Sequence, residues 1–321
     1  MSGPASHPDS DRRLVVWQIL DDKPGHRNQT LGLTEALQSQ VQLTAIPVEI
    51  GDRLRGFRSW LPGRCQSLAE YPAPDLLIAA GHATHLPLLR LKQRFGGTAI
   101  VLMKPSLPTR IFDLCFIPNT HEYPHLPRNV VLTEGALNRV RPSTDLDSQR
   151  GLILIGGPSA HYDWSDAAVL TAVAEILRRC PDKEWTIATS RRTPVEFGQE
   201  FRRLQLPGHL VEAETTSADW LPAQLSVSGT VWVTADSVSM LYEALTAGAA
   251  TGLLELPGQK STRVARSAQS LAASGRITPF SDWSSGAALV PPAQPLCESD
   301  RCASIVLERI NSVLNRSARA A

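Results

Sequence analysis

A chain of 321 residues, 42% of them hydrophobic, can bury sizeable cores and is long enough for about two domains. Its 32 basic and 31 acidic side chains nearly cancel, which removes the electrostatic signature of a nucleic-acid binder. Five scattered cysteines (Cys65, Cys115, Cys180, Cys297, Cys302) without CxxC spacing point to a reducing compartment and away from structural zinc. Residues 1–12 lack the apolar stretch of a secretory signal, and no apolar run reaches the roughly 20 residues of a membrane span. A cytoplasmic protein is therefore expected, with loose contact at a membrane surface left open.

In chain order the first element is an apolar strand, "LVVWQIL" (Leu14–Leu20). Gly25 punctuates, and Leu33, Ala36 and Leu37 then fall at helical spacing. Strands follow at Ala45–Ile50, Asp75–His82, Thr98–Met103, Leu114–Pro118 and Asn129–Thr133. The polar run Arg139–Arg150 reads as a linker. Beyond it the alternation restarts with a strand into a glycine turn (Gly151–Gly157) and a helix whose stripe is Val169, Ala172, Val173, Ile176 and Leu177. Strands at Glu184–Ser190, Thr230–Ser237 and Thr251–Leu256 continue the pattern. Cys302, Ile305, Val306, Ile310 and Val313 mark a last amphipathic helix. Continuous apolar strands alternating with helices predict an α/β fold with parallel sheets covered on both faces. Two doubly wound domains are expected to face each other across a cleft, one over residues 13–138 and one over 150–296, with a helix at 300–317 packing back on the first.

In doubly wound sheets ligands sit beyond the carboxyl ends of the strands, and the polar motifs of this chain fall at such ends. In "IGGPSAHYDW", Gly156 and Gly157 let a backbone approach a ligand, Pro158 follows, and Ser159 offers a hydroxyl; such turns suit phosphate, though an ordinary tight turn reads the same way. In "TSRRTP", Ser190, Arg191, Arg192 and Thr193 offer donors at a helix start, against the alternative of solvated arginines and a capping threonine. In "TADSVSMLYEAL" the strand ends at Asp236, and Ser237 and Ser239 are caps or donors around Met240. Glu243, four residues after Ser239, shares its helix face and would accept the hydroxyls of a ribose; a capped helix with a solvent-exposed Glu is the alternative.

In the first half, "DDKPGH" (Asp21–His26) and "AGH" (Ala80–His82) both end strands. His26 has the right ordinary pKa for a general base, with Asp21 or Asp22 to orient it. A polar turn with a solvated His26 reads equally well. His82 carries a weaker form of the same argument. "MKPSLP", which contains Lys104, is either a rigid structural loop or one wall of an acceptor pocket.

Together "DDKPGHRNQTLGL", "AGHATH", "MKPSLP", "LTEGALN", "IGGPSAHYDW", "TSRRTP" and "DSVSMLYEAL" resemble the mitochondrial fission (Elongated Mitochondria) family over about residues 14–290. Its bacterial members are regarded as candidate glycosyltransferases, whereas its plant members are known as adaptors. The resemblance implies a GT-B fold of two Rossmann-like domains, similar in layout to the peptidoglycan N-acetylglucosaminyltransferase. There a Gly-Gly-His turn follows the first strand; here Pro24-Gly25-His26 stands in that place.

What the resemblance implies is a nucleotide-sugar donor held by Gly156, Gly157, Pro158, Ser159, Ser190, Arg191, Asp236, Ser237, Ser239, Met240 and Glu243. An envelope glycan or lipid-linked acceptor would lie beside Lys23, Gly25, Gly81, His82 and Lys104, with His26 as base assisted by Asp22. No cofactor and no metal are implied: Asp145–Asp147 fits a DxD pattern but lies in the proposed linker. The protein would be cytoplasmic, with peripheral contact at the inner membrane through its acceptor. A non-catalytic adaptor and a nucleotide-sugar epimerase are the alternatives.

Overall fold

The computed structural model describes residues 13–51, 66–119, 125–258 and 262–320. Cys65 lies outside the described residues. The chain divides into two compact units, one ending at Arg139 and resuming at Glu298, the other spanning Val140–Cys297.

The first unit is built on a six-stranded sheet. Its strands are β1 (Leu14–Leu20), β2 (Leu43–Glu49), β3 (Leu76–Ala80), β4 (Thr98–Leu102), β5 (Leu114–Pro118) and β6 (Val130–Thr133). Neighbours run parallel in the order β2-β1-β3-β4-β5-β6. Pro47 is tolerated because β2 is an edge strand, where a missing N–H costs no ladder bond. One face packs against α1 (Pro24–Gln38) and α9 (Glu298–Ala320), where Leu33, Ala36 and Leu37 meet Cys302, Ala303 and Val306. The other face packs Trp17, Leu77 and Val101 against α2 (His85–Phe95) through Leu88 and Leu91. Among the described residues no helix is long and apolar enough to cross a membrane.

The second unit has its own six-stranded parallel sheet. Its strands are β7 (Asp147–Leu154), β8 (Glu184–Ala188), β9 (His209–Val211), β10 (Ser228–Thr234), β11 (Ala250–Leu254) and β12 (Thr278–Pro279). Their order, β12-β11-β10-β7-β8-β9, places three strands on each side of a reversal, as in dinucleotide-binding sheets. The helices are α3 (Asp166–Arg179), α4 (Val195–Arg203), α5 (Trp220–Leu225), α6 (Val238–Ala247), α7 (Arg263–Ala273) and α8 (Phe280–Ser284). Ser165 caps α3 by accepting from Ala168 N–H, and Val169, Val173, Ile176 and Leu177 of its stripe are buried.

Two expectations need correction. The run Arg139–Arg150 is not a linker throughout: residues 147–150 form the exposed beginning of β7, and only its last four residues enter the core. Polarity marked exposure there, not absence of a strand. Gly25, read as punctuation before the helix, lies inside its first turn, because Pro24 at the first helical position fixes a suitable φ and needs no N–H partner. The strands β9 and β12 were too short for a periodic signal.

Candidate functional site

Each sheet has one place where consecutive connections leave in opposite directions. In the first unit this point lies between β1 and β3; in the second it lies between β7 and β10. The loops leaving those four strands carry Asp21–His26, Gly81–His82, Gly156–Ser159 and Asp236–Ser239. The topology thus sorts the sequence motifs to the crevices where open α/β sheets hold ligands.

At the first switch point His26 Nδ1 lies 2.7 Å from Asp21 Oδ2. An ionised carboxylate only accepts, so Nδ1 carries a proton, and in the neutral imidazole the lone pair is on Nε2. Asp21 is itself fixed, since its Oδ1 accepts Lys23 N–H at 3.1 Å. The carboxylate expected to assist His26 was Asp22; its side chain is exposed, and the residue that orients the imidazole is the buried Asp21. Both acids lie in the loop just past β1, and the path of that loop turns Asp21 inward and Asp22 outward. Gly81, at φ 89°, lies against the His26 ring so closely that a Cβ would collide with it. Gly25 has no such neighbour within 4 Å. Lys23, His82 and Lys104 are exposed around this end of the sheet. Arg27 is engaged elsewhere, with Nη1 2.7 Å from both oxygens of Glu49.

Two features here escaped the sequence reading. Met103, at the end of β4, is held at φ 73°, a strained conformation for a residue with a Cβ, and its sulfur accepts from Gln29 Nε2 at 3.0 Å. His85 is 2% exposed, with Nδ1 3.1 Å from Ser106 Oγ and its ring edge against Phe112. Burial, together with the nearby His82 and His26, pushes its pKa down to about 4, so it is neutral at physiological pH.

At the second switch point the side chains interlock. Gly156 N–H donates to Thr234 Oγ1 at 2.8 Å and Gly157 N–H to Asp236 Oδ2 at 3.1 Å. Side chains of β10 and its loop thus already take both amides. The glycines are needed for packing, since a Cβ on Gly156 would strike the Asp236 carboxylate and one on Gly157 the carbonyl of Arg192. Ser159 Oγ accepts from His161 N–H at 3.2 Å, and Ser190 Oγ donates to Gly156 O at 2.9 Å.

Of the two adjacent arginines, Arg191 was the expected ligand, but Arg192 organises the site. Its Nη1 donates to Gly157 O (3.1 Å) and Pro158 O (3.2 Å), and its Nη2 to Asp236 Oδ2 (2.6 Å) and Ser237 Oγ (3.1 Å). One guanidinium thus ties the loops after β7, β8 and β10, while its side chain stays 44% exposed. Thr193 is not a helix cap; its hydroxyl donates to the Ile155 and Gly156 carbonyls, and Pro194 precedes α4.

Ser237 stands at the N-cap of α6 without a side-chain cap bond, and Val238 and Ser239 follow in the first turn, where amides have no partner further back in the helix. Ser239 is exposed and Met240 half-buried, whereas Glu243 is 7% exposed. Ser239 and Glu243 therefore do not share one environment, and the reading of Glu243 as a solvated side chain is excluded. Tyr162 lies close enough to Asp236 for that charge to add to burial in raising its pKa.

Two parallel α/β units with polar loops gathered at their switch points define a fold of GT-B type. Solved structures agree at the level of fold. A UDP-GlcNAc 2-epimerase from Methanocaldococcus jannaschii matches with a TM-score of 0.57 at 11% identity, covering 92% of this chain and 100% of that one. The UDP-GlcNAc 2-epimerase from Neisseria meningitidis bound to UDP-GlcNAc matches with a TM-score of 0.52 at 11% identity, covering 93% and 100%. No curated protein matches the sequence significantly. The chain belongs to the mitochondrial fission ELM1 family, which it matches over residues 24–310.

Proposed function

We propose that this chain is a nucleotide-sugar-dependent glycosyltransferase acting on an envelope glycan or a lipid-linked acceptor. The observation that carries the reading is the Asp21–His26 pair at the first switch point, with Nδ1 2.7 Å from Oδ2, a contact that selects the tautomer with its lone pair on Nε2. His26 Nε2 takes the proton of an acceptor hydroxyl, whose oxygen attacks the anomeric carbon. A positioned base of this kind contributes about 10² to 10⁴ in rate. The second unit holds the donor: the α6 N-terminus and the charge of Arg192 favour the diphosphate, and Glu243 accepts the ribose hydroxyls. Developing charge on the leaving diphosphate is met by these donors, without a step that needs a metal.

A second reading has an observation of its own, because both neighbours described above are nucleotide-sugar epimerases. A thermal-shift panel of nucleoside diphosphates, followed by product analysis of the matching nucleotide-sugar with and without glycan acceptors, tests both. Acceptor-dependent glycoside formation is the expected result. Isomerisation of the donor alone would identify an epimerase. No response to any nucleotide would identify a non-catalytic adaptor.

A further inference from the structure

Asp236 is an unexpected residue to find in a site for diphosphate. Its side chain is 0% exposed at the start of α6, where a ligand anion is most favoured. Its Oδ2 accepts from Gly157 N–H at 3.1 Å, Arg192 Nη2 at 2.6 Å and Ser237 Oγ at 3.2 Å. A backbone amide, a guanidinium and a hydroxyl are the donors a phosphate oxygen would recruit. Its Oδ1 is buried with no hydrogen-bond partner. The inner half of the cradle is therefore filled by the protein's own carboxylate, and a ligand diphosphate is left with the α6 amides and the outer side of Arg192.

We propose that Asp236 is the built-in anion of this site and that it sets which phosphate ligand the site retains: the diphosphate diester of a nucleotide-sugar in preference to the free nucleoside diphosphate. The inference rests on the donor-site reading above. A diphosphate diester carries two ionised oxygens. A free nucleoside diphosphate gains a further negative charge above about pH 6, where its terminal phosphate ionises again. A fixed carboxylate penalises that extra charge, and one unit charge at roughly 10 Å in a partly screened site is worth about tenfold in affinity. Arg192, whose charge Asp236 already neutralises in part, cannot fully compensate. The site would keep its substrate and expel its product.

The test uses the full chain and the nucleoside diphosphate that most stabilises it, compared by calorimetry with the β-methyl ester of the same nucleotide. The two ligands differ mainly in terminal charge. The wild type should bind the ester more tightly. In Asp236→Asn both ligands should gain, the free diphosphate by about tenfold more than the ester, while Arg192→Gln should weaken both and widen the ester's advantage. A wild type that prefers the free diphosphate overturns the inference without any variant. Equal changes for both ligands in Asp236→Asn also overturn it, because a merely structural carboxylate would act that way, and the donor-site reading would survive. If no nucleotide binds the wild type, the donor-site reading falls and takes this inference with it.

Discussion

Asp21 Oδ2 lies 2.7 Å from His26 Nδ1, and the carboxylate that makes this contact is 1% exposed. A buried acid that accepts from Nδ1 fixes both the tautomer and the tilt of the ring, leaving Nε2 as the basic nitrogen. His26→Ala should lower turnover by about 10² or more while leaving the donor dissociation constant within about twofold. Asp21→Asn should lower turnover with a smaller effect. Steady-state kinetics with donor binding measured in parallel decides: equal losses in turnover and donor affinity would remove His26 from the role of base.

Gly81→Ala tests the same pair without touching either partner. The added Cβ meets the His26 ring and must be accommodated at φ 89°. A stability loss of about 1–2 kcal/mol is expected, with a displaced imidazole and a fall in turnover. Unchanged kinetics in a folded Gly81→Ala chain would show that the position of the His26 ring is immaterial.

His85 makes the first unit sensitive to acid. Its folded pKa of about 4 lies below its ordinary value of 6.5. The neutral form is therefore the one the fold favours: its contribution is complete above about pH 6.5 and is lost as pH falls through that value toward 4. The loss amounts to roughly 3 kcal/mol. His85→Leu should flatten the decline of stability across this window, read by denaturant unfolding at several pH values. An unaltered decline would place the acid sensitivity elsewhere.

Arg192 ties three loops through four acceptors, one of them the buried Asp236. Arg192→Ala should cost the second unit about 2 kcal/mol, less than a fully buried ion pair because the guanidinium is half in water. Arg191→Ala, at an exposed neighbour, should change unfolding by less than about 0.5 kcal/mol. Comparable losses in the two variants would contradict the assignment of Arg192 as the tie.

Glu243 is tested by Glu243→Gln, which keeps shape in a buried position and removes the charge. Affinity for the stabilising nucleoside diphosphate should fall about tenfold, with the fall absent for inorganic pyrophosphate, which has no ribose. Equal weakening of both ligands would remove Glu243 from ribose recognition.

The elements of both sheets were legible because the strands are buried on two faces and read as unbroken apolar runs, as Leu14–Leu20 and Leu114–Pro118 do to the residue. The α3 stripe was legible because helix period and burial coincide. The exposed start of β7 and the very short β9 and β12 were not, because neither burial nor periodicity marks them. Motif positions at strand ends followed from the same local pattern. The sequence by itself showed where polar residues cluster beyond strand ends: Asp21–His26, Gly156–Ser159, Ser190–Thr193 and Asp236–Ser239.

Strand order was a different matter, since it joins residues far apart in the chain. Only the tertiary structure placed Gly81 under the His26 ring and Gly156 against Asp236. Only it chose Asp21 over Asp22 and Arg192 over Arg191. In each pair the residue types are the same and adjacent, so no propensity separates them. Which one turns inward depends on the path of the loop, and on the distant glycine or carbonyl that leaves room for it.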